Sequence, residues 1–420
     1  FTMFWLDKGP GMTPVPRYRT LPARAADISG LRLENCIVGA DRVIGREHGG
    51  LTVIHKTLVL SRGGVAALAA GCLGGALDLA MTYAQRRNIY GKPIVHLGAI
   101  TEHLMRMQAL DLLVSATSLK ATCLLNAVGL AASHYTSVAK TMACDLAEEG
   151  VREGQRVLGA RALLRELPYE RRIRDVNLYG IFDGTSHLML EELSSRLAQE
   201  AKQVGTADDA TCDELRAIYL TPPRPVTEVL REFRRPLMFP MVQHLRSLDQ
   251  LGGRLSLSPL VQTAEALFAL VRHLRETGQW KHDQGTRLAA AELFAMLEVL
   301  IACIEICDPD RRAALGMPAP AEFDERQDRP LHGFAVAWFG SRVVARLRQM
   351  LLRSGLAEEQ LQPQLQRLEE AERKLLGDQD ENRRQCREAL CAQATDSAGS
   401  SSPGSSGSQT PARPQPSPSA

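Results

Sequence analysis

The order of apolar and polar positions divides the chain into a short β-rich start and two long helical stretches. Residues 1–50 carry short apolar runs broken by glycine, proline and aspartate, a pattern typical of strands and turns. From residue 51 onward, apolar residues recur at steps of three and four, which is the spacing of one helix face. The stripe is continuous over residues 100–128, which predicts one long helix there.

Four long helices are predicted for residues 51–204. Three of them cover about 51–88, 100–128 and 131–156, and the fourth starts near Thr185. The first is rich in glycine and alanine, which would allow its neighbours to approach closely. Long helices joined by short connections favour an antiparallel four-helix bundle.

A second helical domain is predicted for residues 226–393. Residues 221–225 separate it from the bundle, because their prolines lack backbone donors and disfavour helix in the residues before them. Ser258 and Pro259 predict the start of one helix in this domain. Residues 394–420 are rich in serine, proline and glycine, which predicts disorder. The predicted fold class is mainly α, with the end of a β-domain (residues 1–50) before the bundle and the second helical domain.

Charge and cysteine usage narrow the classes of function. The formal net charge of +2 over 420 residues gives no reason to expect nucleic-acid binding. The nine cysteines lie without CxxC spacing and are interpreted as reduced thiols, which predicts a reducing, cytoplasmic compartment. Cys303 and Cys307 share a helix face, but no further ligands complete a site, so no metal is predicted. No signal peptide is recognised at the start of the chain.

Two segments raise the question of a membrane. Residues 63–81 are nearly free of charge, but their many small residues favour a buried bundle helix over a transmembrane span. Residues 339–355, FGSRVVARLRQMLLRSG, combine arginines with apolar residues. This pattern predicts an assembly surface or peripheral membrane contact, with an ordinary inter-helix face as the alternative.

Two motifs, found in order, resemble the C-terminal half of the acyl-CoA dehydrogenase family. They are YAQRRNIYGKPI at residues 83–94 and VLGARALLRELPYERRIRDVNLYGIFDGTSHLMLEEL at residues 157–193. Their order, spacing and helical setting match the family across about residues 1–200. The resemblance implies that an N-terminal helical domain and part of the β-domain precede Phe1. By length and helicity alone, residues 226–393 resemble the extra helical domain of the family's very-long-chain branch.

The resemblance implies an FAD-dependent dehydrogenase of acyl-CoA or another acyl thioester. In the family, FAD lies between the β-domain and the bundle of a dimer, and the flavin accepts the β-hydride. An α-C–H is a poor acid, so a base must lie within reach, with its pKa raised by an apolar pocket. Asp183 occupies the position of the family's catalytic glutamate. The implied partners are a second identical or homologous subunit and an electron acceptor such as an electron-transfer flavoprotein.

The resemblance also assigns binding residues. Arg87 matches the arginine that contacts the FAD pyrophosphate across the subunit interface, through charge-assisted bonds. Arg62 matches the arginine near the thioester end of the acyl-CoA site, and Tyr90 matches the aromatic residue of the first motif. The remaining cofactor positions are Arg156, Gly159, Thr185 and His187, and the remaining substrate positions are Phe182 and Gly184.

Several positions depart from the family pattern. Asp183 is one methylene shorter than the usual glutamate, and Arg156 stands in place of a glutamine. Only Gly159 remains of a Gly-Gly-x-Gly run, since alanines occupy positions 160 and 162. An alanine there can block close backbone approach to a pyrophosphate. Gly98 and His187 also replace polar residues that lie near the cofactor in the family.

Three functions are therefore weighed. The first is the dehydrogenase with Asp183 as its base. The second is a catalytically silent subunit or scaffold that pairs with an active homologue. The third is a related flavoprotein with another acyl substrate or electron acceptor. At the level of single residues, Asp183 could instead be the N-cap of the following helix, Arg87 a surface charge and His187 an exposed histidine.

Overall fold

The computed structural model of the chain describes residues 1–203, 211–229, 240–253, 255–318 and 325–399. As predicted, the described chain is mainly helical, and its short strands lie before the first long helix and directly after it. Three antiparallel two-stranded sheets pair β1 with β4, β2 with β3, and β5 with β6. The strands are β1 (Met3–Phe4), β2 (Met12–Pro14), β3 (Leu31–Leu33), β4 (Val43–Ile44), β5 (Asn88–Ile89) and β6 (Lys92–Pro93).

The predicted bundle is present, and its long helices begin and end close to the predicted positions. It contains one helix that the apolar pattern did not predict, a short one that starts with Pro168 in its first turn, where proline suits a helix start. The helices are α1 (Gly50–Arg86), α2 (Gly98–Val128), α3 (Ser133–Leu158), α4 (Pro168–Tyr179) and α5 (Ser186–Gln203).

The three long bundle helices approach one another through glycines. A Cβ atom added at Gly63 of α1 would lie 2.7 Å from the side chain of Leu125 on α2. A Cβ atom added at Gly150 of α3 would lie 2.4 Å from the side chain of Leu73 on α1. A larger residue would meet these leucine side chains, which would have to move or let the helix axes separate. The predicted close approach through small residues is confirmed.

A second group of helices packs against the bundle. Its helix α11 lies on α2 and α5, and α13 also contacts α2. The described apolar side chains of both groups form one continuous core. Its members are α6 (Thr211–Leu220), α7 (Val226–Val229), α8 (Met241–Gln250), α9 (Ser258–Glu276), α10 (Gln279–His282), α11 (Gln284–Cys307), α12 (Pro309–Ala314), α13 (Glu325–Leu352) and α14 (Glu358–Gly399).

The proline-rich connection at residues 221–225 is hydrogen-bonded to the end of α2. The Nδ2 group of Asn126, near the end of α2, donates to the carbonyls of Thr221 (3.1 Å) and Pro222 (3.0 Å). The backbone N–H of Arg224 donates to the side-chain oxygen of Asn126 at 2.8 Å. The connection is therefore fixed to the bundle.

Helix α14 extends past the predicted start of the tail, and residues 400–420 lie outside the described residues.

The basic helix α13 is part of the core, and its buried apolar face does not support the predicted contact with a membrane surface. Its apolar residues Phe339, Val343, Leu347 and Leu351 are buried. Its arginines pair with carboxylates of three other helices: Arg342 with Glu149, Arg346 with Glu292, and Arg348 with Glu369 and Glu372. The alternative, an ordinary inter-helix face, is the one that the structure supports.

Two segments are long and apolar enough to cross a membrane by length and composition alone. They are Gly50–Arg86 and Gly98–Leu163, and 39% and 61% of their most apolar windows are buried inside the protein. The core helix of a soluble protein passes the same test, so this observation is weak evidence for a membrane. The buried fraction is lower for α1 because the other described helices do not cover one of its apolar faces.

A buried ionic cluster joins the two helical groups. The ammonium of Lys120 on α2 lies 2.9 Å from Glu305 and 3.9 Å from Glu298, both on α11. Glu305 also contacts His244 Nε2 at 2.6 Å and accepts a hydrogen bond from the Tyr219 hydroxyl at 2.5 Å. Burial alone would raise the pKa of Glu305, but Lys120 and the bonds from His244 and Tyr219 outweigh it and lower the pKa to about 2.

Replacing Glu305 by glutamine should strongly destabilise the folded chain. The change removes the main partner of a buried ammonium, and breaking a buried ion pair in this way typically costs about 3–5 kcal/mol. Urea unfolding should show this loss for Glu305→Gln. The control Glu298→Gln should lose much less, because Glu298 lies farther from Lys120.

The pH dependence of the same pair of proteins gives a second check. A lowered pKa means that Glu305 stabilises the fold above the usual glutamate pKa and loses this effect as the pH falls toward 2. The stability difference between wild type and Glu305→Gln should therefore be full at neutral pH and shrink in acid. A difference that stays constant down to about pH 2 would contradict the assigned ion pair.

Candidate active site

Asp183 lies in a tight turn between α4 and α5. Its backbone φ is +56° and that of Gly184 is +105°, so both residues adopt the left-handed region. Helix α5 begins at Ser186, and the carbonyl of Thr185 accepts the N–H groups of Leu188 and Met189. Within the described part of the chain, the half-buried Asp183 carboxylate has no hydrogen-bond partner. Thr185 therefore holds the cap position, and the interpretation of Asp183 as an N-cap is not supported.

A buried lysine contacts both ends of this turn. Lys140 of α3 is fully buried, and its ammonium donates to the carbonyl of Gly180 at 2.9 Å and to that of Gly184. Burial lowers the pKa of Lys140, Arg62 lowers it further, and the negative charge of Asp183 acts in the opposite direction. Lys140, Arg62 and Asp183 thus form one electrostatic neighbourhood.

Arg62, predicted to bind substrate, lies in the interior of the bundle. Its Nη1 group donates to Ser137 Oγ at 3.0 Å and to Glu192 Oε2 at 2.9 Å. The Ser137 hydroxyl donates to the same carboxylate oxygen at 3.0 Å. The Nε atom of Arg62 is buried without a hydrogen-bond partner among the described residues. One face of this guanidinium is therefore satisfied by the protein and one donor is not.

The other residues predicted for this end of the bundle surround the turn. The Phe182 side chain packs on the core, with its ring centroid 6.4 Å from that of Tyr179. Thr185 and His187 are exposed at the start of α5. The structure thus brings together Arg62, Phe182 and residues 183–187.

The remaining predicted cofactor residues lie at the other end of the bundle. Tyr90, 88% exposed, sits at the tip of the β5–β6 hairpin, and Gly159 ends α3 with φ +60° and open space where a Cβ would be. Arg156 pairs with Glu153 at 2.8 Å. Arg87 follows the last residue of α1.

Arg87 lines a cavity of about 490 Å³ between the ends of α1 and α3 and the start of α4. Arg86 and Arg161 line it as well, together with Tyr83 and Tyr169. Three guanidinium groups beside aromatic rings suit a phosphate-bearing ligand, because arginine binds phosphates through paired charge-assisted hydrogen bonds. The residues present therefore fit the pyrophosphate part of a dinucleotide such as FAD.

The length of α1 separates the two groups of predicted residues. Arg62 lies near the beginning of this helix and Arg87 directly after its end. At 1.5 Å per residue, they are roughly 37 Å apart along the helix axis. Within one chain, the turn of Asp183 and the arginine cavity therefore cannot contact the same end of one ligand.

Three residues near the Asp183 turn were not predicted from the sequence. They are Lys140, Glu192 and Asp145, whose carboxylate bonds the Ser186 side chain. Desolvation by the surrounding helices, helped by nearby carboxylates, raises the pKa of Asp145 to about 6, although the residue is exposed. A signal was present for Lys140 alone, since it interrupts an apolar stretch of α3.

A fourth missed residue lies at the other end of the bundle. A Cβ atom added at Gly98 would lie 3.1 Å from the guanidinium of Arg387 on α14. A larger side chain at position 98 would therefore meet Arg387. Only tertiary packing places α14 there, because its residues are about 290 positions away in sequence.

Comparisons with known proteins agree with the motifs. Residues 48–198 match the family model of the acyl-CoA dehydrogenase C-terminal domain. The cyclohex-1-ene-1-carbonyl-CoA dehydrogenase of Geobacter metallireducens is 34% identical over 186 residues, which are 44% of this chain and 49% of that protein. The mitochondrial short-chain specific acyl-CoA dehydrogenase of Bos taurus is 30% identical over 179 residues, 43% of each protein. The chain therefore spans about half the length of the curated relatives it matches.

A solved structure extends the similarity of fold to both helical groups. The crystal structure of an acyl-CoA dehydrogenase from Bacillus anthracis, complexed with FAD, aligns with a TM-score of 0.69 at 15% identity. The alignment covers 94% of this chain and 66% of that chain. Residues 48–198 are therefore similar to the C-terminal domain of acyl-CoA dehydrogenases, and the predicted resemblance is confirmed. The assignment to the very-long-chain branch stays a prediction.

The left-handed turn predicts an unusual order of stabilities at position 183. A left-handed backbone costs an ordinary L-residue about 1–2 kcal/mol, whereas glycine adopts it freely. Asp183→Gly should therefore be more stable than Asp183→Ala by about that amount in urea unfolding. At the neighbouring exposed Ile181, which is not left-handed, the order of glycine and alanine should be reversed. Equal stabilities of the two variants at position 183 would contradict the turn geometry.

Proposed function

We propose that the intact protein containing this chain is an FAD-dependent acyl-thioester dehydrogenase in which Asp183 removes the α-proton. The observation that carries the proposal is the Asp183 carboxylate itself. It is half-buried, held in a left-handed turn at the family's catalytic position, and has no hydrogen-bond partner among the residues described. A carboxylate whose oxygens are free can accept a proton, whereas a cap residue uses them on the backbone.

The surrounding side chains have separate roles in this proposal. The turn directs the carboxylate, and the apolar face of Phe182 limits the access of water. Arg62 offers its unsatisfied Nε donor near the thioester, where negative charge develops as the α-proton leaves. FAD, when bound, supplies the acceptor for the β-hydride.

We propose that two subunits complete each site. Thr185 and His187 would hold the flavin beside Asp183, while Arg87 and Tyr90 of a second subunit would hold the pyrophosphate end. The separation of roughly 37 Å along α1 supports this division, because one chain cannot supply both ends at one place. Arg156 and Gly159 lie on the same side as Arg87.

The partners and compartment follow from the family. Acyl-CoA or another acyl thioester is the proposed substrate, and an electron-transfer flavoprotein is the proposed electron acceptor. The described cysteines are free thiols, which supports the proposal of a reducing, cytoplasmic compartment.

One observation favours the second candidate function, a catalytically silent family member. Arg62 is already paired with Glu192 and Ser137 inside the bundle, so part of its charge is neutralised before any substrate binds. A silent subunit would keep the fold and the subunit contacts without turnover. Activity of the intact wild-type protein separates the two candidates.

Asp183→Asn should abolish dehydrogenation of an acyl thioester while leaving the fold and flavin content unchanged. The amide has nearly the same size but cannot accept the proton. Asp183→Glu should retain or raise activity, because the longer side chain restores the family's usual reach. A misplacement of about 1 Å can cost roughly 100-fold in rate. The measurement is steady-state turnover with flavin absorbance recorded on the same samples.

Asp175→Asn is the matched control for this experiment. Asp175 lies on α4 and accepts a hydrogen bond from the backbone of Ala23 at 2.8 Å, so its loss should leave turnover near the wild-type level. Wild-type turnover that survives in Asp183→Asn rules out Asp183 as the base. Absence of turnover in wild type that still binds the thioester supports the silent subunit.

Mixed dimers should test the two-subunit site. A chain with Asp183→Asn and a chain with Arg87→Ala should each be nearly inactive alone. When the two are co-expressed and purified as a mixed dimer through different tags, one of the two sites combines an intact Asp183 with an intact Arg87. We expect about half of the wild-type activity per dimer, from site counting under the cross-subunit arrangement.

The control is a mixed dimer in which one chain carries both substitutions and the other none. In the cross-subunit arrangement each of its sites has one defect, so it should remain nearly inactive. If Asp183 and Arg87 of the same chain served one site, the results of the two mixed dimers would be exchanged.

A further inference from the structure

Lys140 is a buried charge whose position calls for a function. It lies on α3 with its side chain fully buried. Removing an ammonium from water is costly unless its protons find acceptors. Here the acceptors are two backbone carbonyls, those of Gly180 and Gly184. They lie at the two ends of the segment that carries Asp183.

The segment held by Lys140 is strained. Asp183 has a positive φ value, and for a residue other than glycine this conformation persists only where the surroundings determine it. On one side, the carbonyl of Leu178 accepts the N–H groups of Ile181 and Phe182 and so continues α4. On the other side, the carbonyl of Thr185 opens α5. Lys140 supplies the cross-link between these two ends.

The neighbouring polar cluster does not replace this cross-link. Hydrogen bonds among Arg62, Ser137 and Glu192 connect α1, α3 and α5. In the described part of the chain, none of their hydrogen bonds reaches residues 180–184. The helices can therefore stay packed when Lys140 is removed, while the turn loses its anchor.

We propose that Lys140 is a positioning residue for the Asp183 carboxylate, which it directs by fixing both ends of the turn. Its ammonium also gives Asp183 a nearby positive charge without forming an ion pair with it, so the carboxylate oxygens stay free for the substrate. This inference rests on the proposed function for its kinetic readout only; the placement of the turn can be measured without turnover.

The test uses the intact protein with Lys140→Met, a side chain of similar length without charge or donors. We expect hydrogen exchange of the amides of residues 181–185 to become at least about tenfold faster, with exchange in α1 and α2 unchanged. We expect kcat to fall about 100-fold, as for a misplacement of about 1 Å, and KM to change little. Lys140→Arg, which keeps donors and charge, should restore part of kcat.

Thr141→Val is the matched control. Thr141 is the next residue of α3 and is also fully buried, and its hydroxyl has no hydrogen-bond partner among the residues described. The change disturbs the same helix without touching the turn, so exchange at residues 181–185 and kcat should both stay near wild type. If Lys140→Met does not fold, Lys140→Gln, which keeps an uncharged donor, takes its place.

Each outcome is decisive for the inference. Faster exchange confined to the turn supports it, with or without turnover. Unchanged exchange in the turn overturns it, and so does a uniform increase over the whole chain, which would indicate a merely structural role. Wild-type protein without turnover sinks the proposed dehydrogenase, but the exchange result still decides whether Lys140 places the turn.

Discussion

The close approach of α1, α2 and α3 is the constraint on which the rest of the structure depends. A Cβ atom added at Gly63 or Gly150 would lie 2.7 Å from the Leu125 side chain or 2.4 Å from that of Leu73. Glycine inside a helix costs roughly 0.5–1 kcal/mol of stability relative to alanine. At these positions, the close packing of the helices offsets that cost. Once the helix axes are fixed at this distance, Arg62 is enclosed in the bundle and Lys140 reaches the turn before α5. The direction of α1 also fixes how far Arg87 lies from both.

Two buried lysines illustrate different uses of the same chemistry. Lys120 is satisfied by carboxylates and joins the bundle to the second helical group, where ion pairing offsets the cost of burial. Lys140 is satisfied by backbone carbonyls and acts on a turn. Carbonyls accept hydrogen bonds without neutralising the ammonium, so the positive charge of Lys140 still interacts with the Asp183 carboxylate. A lysine paired with a carboxylate could not provide this.

At both ends of the bundle, charged side chains lie beside the positions that depart from the family pattern. Near Asp183, Glu192 pairs with Arg62 and offsets part of its positive charge. At the other end, Arg387 fills the space beside Gly98, and Arg86 and Arg161 add positive charge to the cavity of Arg87. The loss of glycines after Gly159 is thus accompanied by guanidinium groups, which can hold a phosphate without close backbone approach.

By itself, the sequence determined the helical elements and the resemblance to a family. The apolar stripe of residues 100–128, the glycine-rich first helix and the two motifs predicted the bundle, because helix periodicity and short motifs are local properties of the chain. The short helix after Pro168 lacked a long stripe and was missed. The basic residues of α13 left two interpretations open, since a charge pattern does not show whether its partners are lipids or the carboxylates of distant helices.

Only the tertiary structure decided which side chains meet. Lys140 and Gly184 are 44 positions apart, and Gly98 and Arg387 meet only because α14 folds back on α2. It also showed that the residues assigned to one cofactor lie at opposite ends of α1. The physical reason is that hydrogen bonds and ion pairs depend on distances in space, and these are set by helix packing rather than by the spacing of residues along the chain.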